Sequence, residues 1–166
     1  MYRQLKDQLL EDLQAELRRM LVVARVNAHE AQQEANYHIG AMESRYDTFK
    51  EEAQYLTEAQ KLRQLQLQGQ LHATERLQQA LRLRPEPITR VQLGALIAIC
   101  SPGTNRQLCS LAPAGLNLQS ATAAGVVLCV TPDTPLVRYG LGLHLGDEYP
   151  VDTQAQKIWY QIDAIW

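Results

Sequence analysis

Leucine and alanine recur every three or four positions along the first part of the chain: Leu10, Leu13, Leu17, Met20 or Leu21, Ala24, Ala28, Ala31 and Ala35. That spacing lines them up on one helix face and predicts a coiled-coil seam. The later seam residues are alanines, so a partner helix comes close there. A second stripe runs through Phe49, Ala53, Leu56, Leu67, Leu71, Thr74 and Leu81, with a less regular middle. A break near Asn36 to Ser44, around Gly40, folds the run back on itself. Each arm then holds roughly 35 residues and reaches ~50 Å at about 1.5 Å per residue. A continuous parallel two-chain rod is the alternative.

The pattern changes at Arg84. No proline precedes it, and all seven follow it. In Arg84-Pro85-Glu86-Pro87 each proline disfavours helix in the residue before it, so the second arm stops there. Beyond this joint, short apolar runs alternate with turn signals. Strands are predicted over Val91–Cys100, Arg106–Leu111, Gly125–Val130 and Ile158–Ile162. Pro135 presets φ for one helical turn over Pro135–Tyr139, which Gly140 and Gly142 end. The expected fold class is α+β. An antiparallel helical hairpin covers about 1–83, and a small antiparallel β-sheet domain with a short helix covers about 88–166.

Charge and composition narrow the function. The chain has 166 residues and a formal net charge of -2. Binding nucleic acid by charge alone needs a clearly basic surface, so any link to nucleic acid runs through a partner protein. Residues 1–12 are polar, not a basic stretch followed by an apolar one. The longest apolar run, Gly125–Val130, falls far short of the roughly 20 residues that span a bilayer. A cytoplasmic chain with no membrane segment is expected. The three cysteines, Cys100, Cys109 and Cys129, are odd in number and scattered, as reduced thiols would be. With His144 they could form a Cys₃His zinc site, but none of the usual close ligand spacings occurs. Thiols on strands also serve as small hydrophobes. No Ser-His-Asp or Cys-His set and no glycine-rich phosphate loop is present, so the chain does not read as an enzyme acting alone.

One local feature stands out. Glu43, Asp47 and Glu51 follow at i, i+4 and i+8, with Glu52 beside them and only Arg45 and Lys50 in offset. Stacked on one helix face, like charges destabilise it by about a few tenths of a kcal/mol per pair. Charge at a helix start explains Glu43 and Asp47 in part, but hardly Glu51. The other reading is that carboxylates near the turn of a hairpin are delivered to a partner. Such oxygens are the ligands Mg²⁺ prefers, and they complete a site whose other ligands the partner holds.

The stretch from Glu43 to Glu52 resembles the hairpin tip and second-helix start of the bacterial Gre transcript-cleavage factors. Val127-Leu128-Cys129-Val130-Thr131-Pro132, then Pro135-Leu136-Val137, then Leu145-Gly146-Asp147-Glu148 are similar to the family's strand, turn, short helix and strand entry. Val91-Gln92-Leu93-Gly94 resembles its first strand, and Trp159-Tyr160-Gln161-Ile162 its last. Tyr46-Asp47-Thr48 with Ala53, Tyr55 and Leu56 looks more like a divergent Gre-like group. The resemblance implies an FKBP-like C-terminal domain docked on the rim of the RNA polymerase secondary channel, with the coiled coil inside that channel. It implies that two tip carboxylates, here Glu43 with Asp47 as the substitute for the family's Asp, hold a Mg²⁺ shared with the polymerase, whose own active site then cleaves backtracked RNA. By position in the family, Asp133, Pro135, Leu136 and Tyr139 form the docking patch. The partner set this implies is a monomer with the polymerase.

The departures matter. The family pairs an Asp with a Glu three residues on. Glu43 matches the Glu, but the Asp position falls on Gly40 or Ile39, which cannot bind metal. Asp47 lies one turn beyond. A non-cleaving regulator that occupies the channel is therefore the second reading, and a coiled-coil adaptor with no polymerase role the third. Prolyl isomerisation needs an aromatic-lined apolar pocket; Tyr139, Tyr149, Trp159, Tyr160 and Trp166 read as core or rim instead.

Overall fold

The structure is a computed structural model. It describes residues 2–37, 47–83, 87–103, 105–115, 119–122, 125–154 and 156–166. For Glu34, Ala35, Tyr37, residues 47–51, Ala53 and 119–122 only the backbone is described. Helix α1 spans Tyr2–Tyr37 and helix α2 spans Asp47–Leu83. The chain divides into two units, one of Ala15–His72, the other of Met1–Gln14 with Ala73–Trp166.

The described residues of the first unit are all helical. Leu17, Leu21 and Ala24 of α1 are buried, as are Thr57, Leu67 and Leu71 of α2. Met20, Ala24 and Asn27 line one groove together with Gln60, Arg63 and Leu67, so the middles of α1 and α2 lie side by side, and the later Gln78 of α2 bonds the earlier Gln14 of α1. The two helices run antiparallel, as the hairpin reading expects. Burying one leucine is worth about 1.5–3 kcal/mol, and this seam supplies most of what holds an otherwise polar pair of helices. The second stripe differs from expectation in its middle. Leu56 is 54% exposed, while its neighbour Thr57 is buried. Gln60 and Gln64 are half-buried on the same side as Thr57. Polar side chains fill this part of the seam, so a search for apolar spacing misplaces it by one residue, or about 100° of helix.

In the second unit, α3 spans Pro135–Arg138, and the strands are β1 Leu96–Cys100, β2 Gln107–Leu111, β3 Gln119–Thr122, β4 Gly125–Val130, β5 Glu148–Asp152 and β6 Lys157–Ile165. They form one six-stranded sheet in the order β3-β4-β2-β1-β6-β5. Every neighbouring pair is antiparallel except β2 with β4, where Leu108 lies opposite Val127 and Leu111 opposite Val130 in parallel. The chain leaves β2, forms edge strand β3, and returns as β4 between the two. Strand β1 begins at Leu96, not Val91. Gly94 has φ 85° and donates to the Leu111 carbonyl at 2.8 Å, so the preceding segment is a turn.

Both sheet faces carry cores. On one, Ile97, Ile99, Cys109, Leu111, Tyr149 and Ile162 pack with Val91 and with Val137 of α3. On the other, Leu96, Ala98, Leu108 and Val127 pack against Leu9 of α1. The helix ends in this unit are tied by polar contacts. Gln14 Nε2 donates to Gln78 Oε1 at 2.8 Å, with both residues buried. Arg82 meets Glu11 at 3.0 Å and Asp7 at 3.3 Å. The Tyr2 ring stacks on Trp166 with centroids 3.9 Å apart.

Candidate docking patch

Strand β4 delivers the chain into the patch that holds Asp133, Pro135, Leu136 and Tyr139. After Val130 a tight turn forms: the Thr134 amide donates to the Thr131 carbonyl at 3.0 Å, and the two threonine hydroxyls lie 3.2 Å apart. Pro135 then occupies the first helical turn, where its missing N–H costs nothing. The amides of Val137 and Arg138 both donate to the Thr134 carbonyl, at 3.0 and 2.9 Å. The helix is only one turn long, and its place is fixed by the core beneath it. Val137 is fully buried. The Tyr149 hydroxyl donates to the Leu136 carbonyl at 2.8 Å. Gly140 closes against the Tyr149 ring, where a Cβ would come within 2.9 Å of a ring carbon.

This anchoring sets what faces outward. Asp133, Pro135 and Tyr139 are exposed, while Leu136 is half-buried against the core. The Arg138 guanidinium sits 5.9 Å from the centre of the Tyr139 ring. Leu141 and Leu145, 40% and 64% exposed, extend the apolar surface nearby in the chain. The sequence reading did not place Arg138, Leu141 or Leu145 in the patch, because leucines beside a glycine read as ordinary loop. The patch offers a carboxylate, a guanidinium and an aromatic ring on a rigid base, which suits contact with a mixed polar and apolar protein surface.

Glu43 lies outside the described residues, and Asp47 opens α2 with only its backbone described. The expected Mg²⁺ pair therefore has no described geometry. Among the described residues, no three His, Cys, Asp or Glu side chains are gathered to hold a metal. Cys100, Cys109 and Cys129 are free thiols. Burial pushes the Cys109 thiol up to about 12 and the Cys129 thiol up to about 11, so both stay protonated and unreactive at neutral pH. Burial, with smaller effects from Cys109 and Tyr160, also raises the Tyr149 phenol, which stays a hydrogen-bond donor to Leu136. No described helix is long and apolar enough to cross a membrane.

No family model matches the chain, and no curated protein matches it. Solved structures similar to it include the following three. The Gfh1 crystal structure from Thermus aquaticus is 16% identical, covers 91% of this chain and 92% of its own, and has a TM-score of 0.37. GreA factor homolog 1 (Gfh1) of Thermus thermophilus is 15% identical, covers 92% and 94%, and has a TM-score of 0.34. A structure of the transcription factor Gfh1 is 17% identical, covers 92% of both chains, and has a TM-score of 0.35. Superpositions this loose establish neither a family nor an activity.

Proposed function

We propose that this protein regulates transcription by inserting its helical hairpin into the secondary channel of RNA polymerase and modulating elongation there. The observation that carries the reading is the antiparallel pairing of α1 with α2, which makes residues 38–46 the link between two arms. Glu43 lies in that link and Asp47 directly follows it. The order of hairpin, strand β4, Thr131–Thr134 turn, α3 and the Gly146-Asp147-Glu148 entry to β5 is the order of the Gre resemblance. In this reading the protein is a monomeric factor, not an enzyme by itself. The β-sheet domain docks through Asp133, Pro135, Leu136 and Tyr139, and any contact with RNA is made through the polymerase. Stimulated cleavage is the first form of the proposal. Glu43 and Asp47 would hold Mg²⁺ and polarise the attacking water in concert with the polymerase's own metal. The second form is a non-cleaving occupant, favoured by Gly40 and Ile39 standing where an Asp would be needed.

Backtracked elongation complexes separate these forms. Adding the protein with Mg²⁺ should release short RNA, and Glu43→Ala and Asp47→Ala should each abolish release while leaving binding intact. Absence of release with competition against a cleavage factor selects the non-cleaving form. Neither release, competition nor co-sedimentation with polymerase leaves the adaptor reading and rejects the proposal.

A further inference from the structure

The sheet face that packs on Leu9 in its centre is uncovered at its β6-β5 end. Cys100 of β1 is paired with Gln161 of β6, and Gln161 with Glu148 of β5, so all three share a face with Trp159, two residues along. That end holds a cavity of about 280 Å³ whose lining includes Pro102, Glu148, Trp159, Tyr160 and Gln161. Three features single it out. Trp159 is 51% exposed at the cavity and, among the described residues, its indole has no ring or cation partner. Among the described residues, Glu148 is the one charged side chain lining the cavity, and no cation pairs with it. Farther along the same strand pair, Asp152 and Lys157 pair with each other at 3.8 Å. Elsewhere this chain satisfies such rings with arginine, as Arg106 does over Trp166 at 5.6 Å.

We infer that this cavity receives an arginine side chain presented by a partner protein. A guanidinium is planar, so it stacks on the open indole while its N–H fork meets the Glu148 carboxylate. The cross-strand geometry allows both at once, because diagonal neighbours on one face lie within about 7–8 Å, the reach of an aromatic and a long side chain. The arginine stem lies along Pro102. A lysine has no plane to stack and binds more weakly. The site is separate from the α3 patch and does not depend on the polymerase reading.

The test is an NMR titration of the full chain with N-acetyl-arginine amide, following the Trp159 indole N–H. A saturable shift is expected, weaker by about tenfold with the lysine or citrulline analogue and with Glu148→Gln. Glu148 is exposed and outside both cores, so Glu148→Gln should leave the rest of the spectrum unchanged. No shift of Trp159 at millimolar ligand, or equal responses from the citrulline analogue or from Glu148→Gln, overturns the inference. Much tighter binding of free arginine than of the blocked form also overturns it, since the ligand would then be the amino acid itself.

Discussion

Single residues already tie stability to pH. Cys109, Cys129 and Tyr149 are neutral in the fold, and burial raises the pKa of each above its unfolded value. Such groups contribute stability that is complete below the unfolded pKa, 9.0 for a thiol, and is lost as pH climbs towards the folded values. Urea unfolding is therefore expected to give constant stability up to about pH 8. Between about pH 9 and 11 it should fall by up to roughly 1.4 kcal/mol per pH unit for each group. Cys129→Ala should flatten that slope; an unchanged slope would contradict the assignment. A second residue-scale expectation concerns Gly140. Its missing Cβ would meet the Tyr149 ring at 2.9 Å, and that ring is 2% exposed and cannot yield. Gly140→Ala should cost about 1–3 kcal/mol in denaturant melts by forcing the core apart. Pro135 at the start of α3 was legible in the sequence, because proline fixes φ wherever it stands. The choice of Thr57 over Leu56 for the seam was not, because it depends on what faces it.

At the scale of elements, the hairpin and the sheet differ in how much sequence alone reveals. The seam of α1 was readable because Leu10, Leu13, Leu17 and Ala24 obey one helical period and all are buried. Leu17→Ala should accordingly cost about 2–5 kcal/mol. The Gln14–Gln78 bond was invisible to hydropathy, since two glutamines at seam positions look like interruptions. Gln14→Leu alone should destabilise by about 1–3 kcal/mol, because Gln78 loses its buried donor. Gln14→Leu with Gln78→Leu should recover most of that loss, and a double-mutant cycle measures the coupling directly. In the sheet, β2 and β4 were predicted to within one residue, and β6 only over its first part. Strand β5 was marked only by its entry at Gly146-Asp147-Glu148, since Pro150, tolerated at this edge of the sheet, obscures the run beyond it, and β3 was hidden by its polar sequence. The parallel β2–β4 pair leaves no local signal. Alternation shows which side chains point inward but not which strand lies alongside.

At the scale of the whole chain, the β-sheet unit draws on both sequence ends. Tyr2 stacks on Trp166, whose amide and carbonyl exchange hydrogen bonds with Leu96 at 2.8 and 3.0 Å. Trp166→Ala should cost about 1–2 kcal/mol and reduce amide protection in residues 2–9 measured by hydrogen exchange. The fold class was legible because the chain changes character once, at Arg84, from proline-free helical periodicity to short runs between turns. The candidate docking patch was legible only by its order along the chain. Asp133, Pro135 and Tyr139 look like any turn until the core beneath α3 shows them held outward together.

The most direct measurement replaces Glu43 with a photocrosslinking amino acid in the full chain and maps its adducts on an RNA polymerase elongation complex. The account predicts crosslinks to the walls of the secondary channel close to the catalytic centre, lost when a cleavage factor competes. Adducts confined to the outer surface of the polymerase, or none at saturating protein, would contradict it.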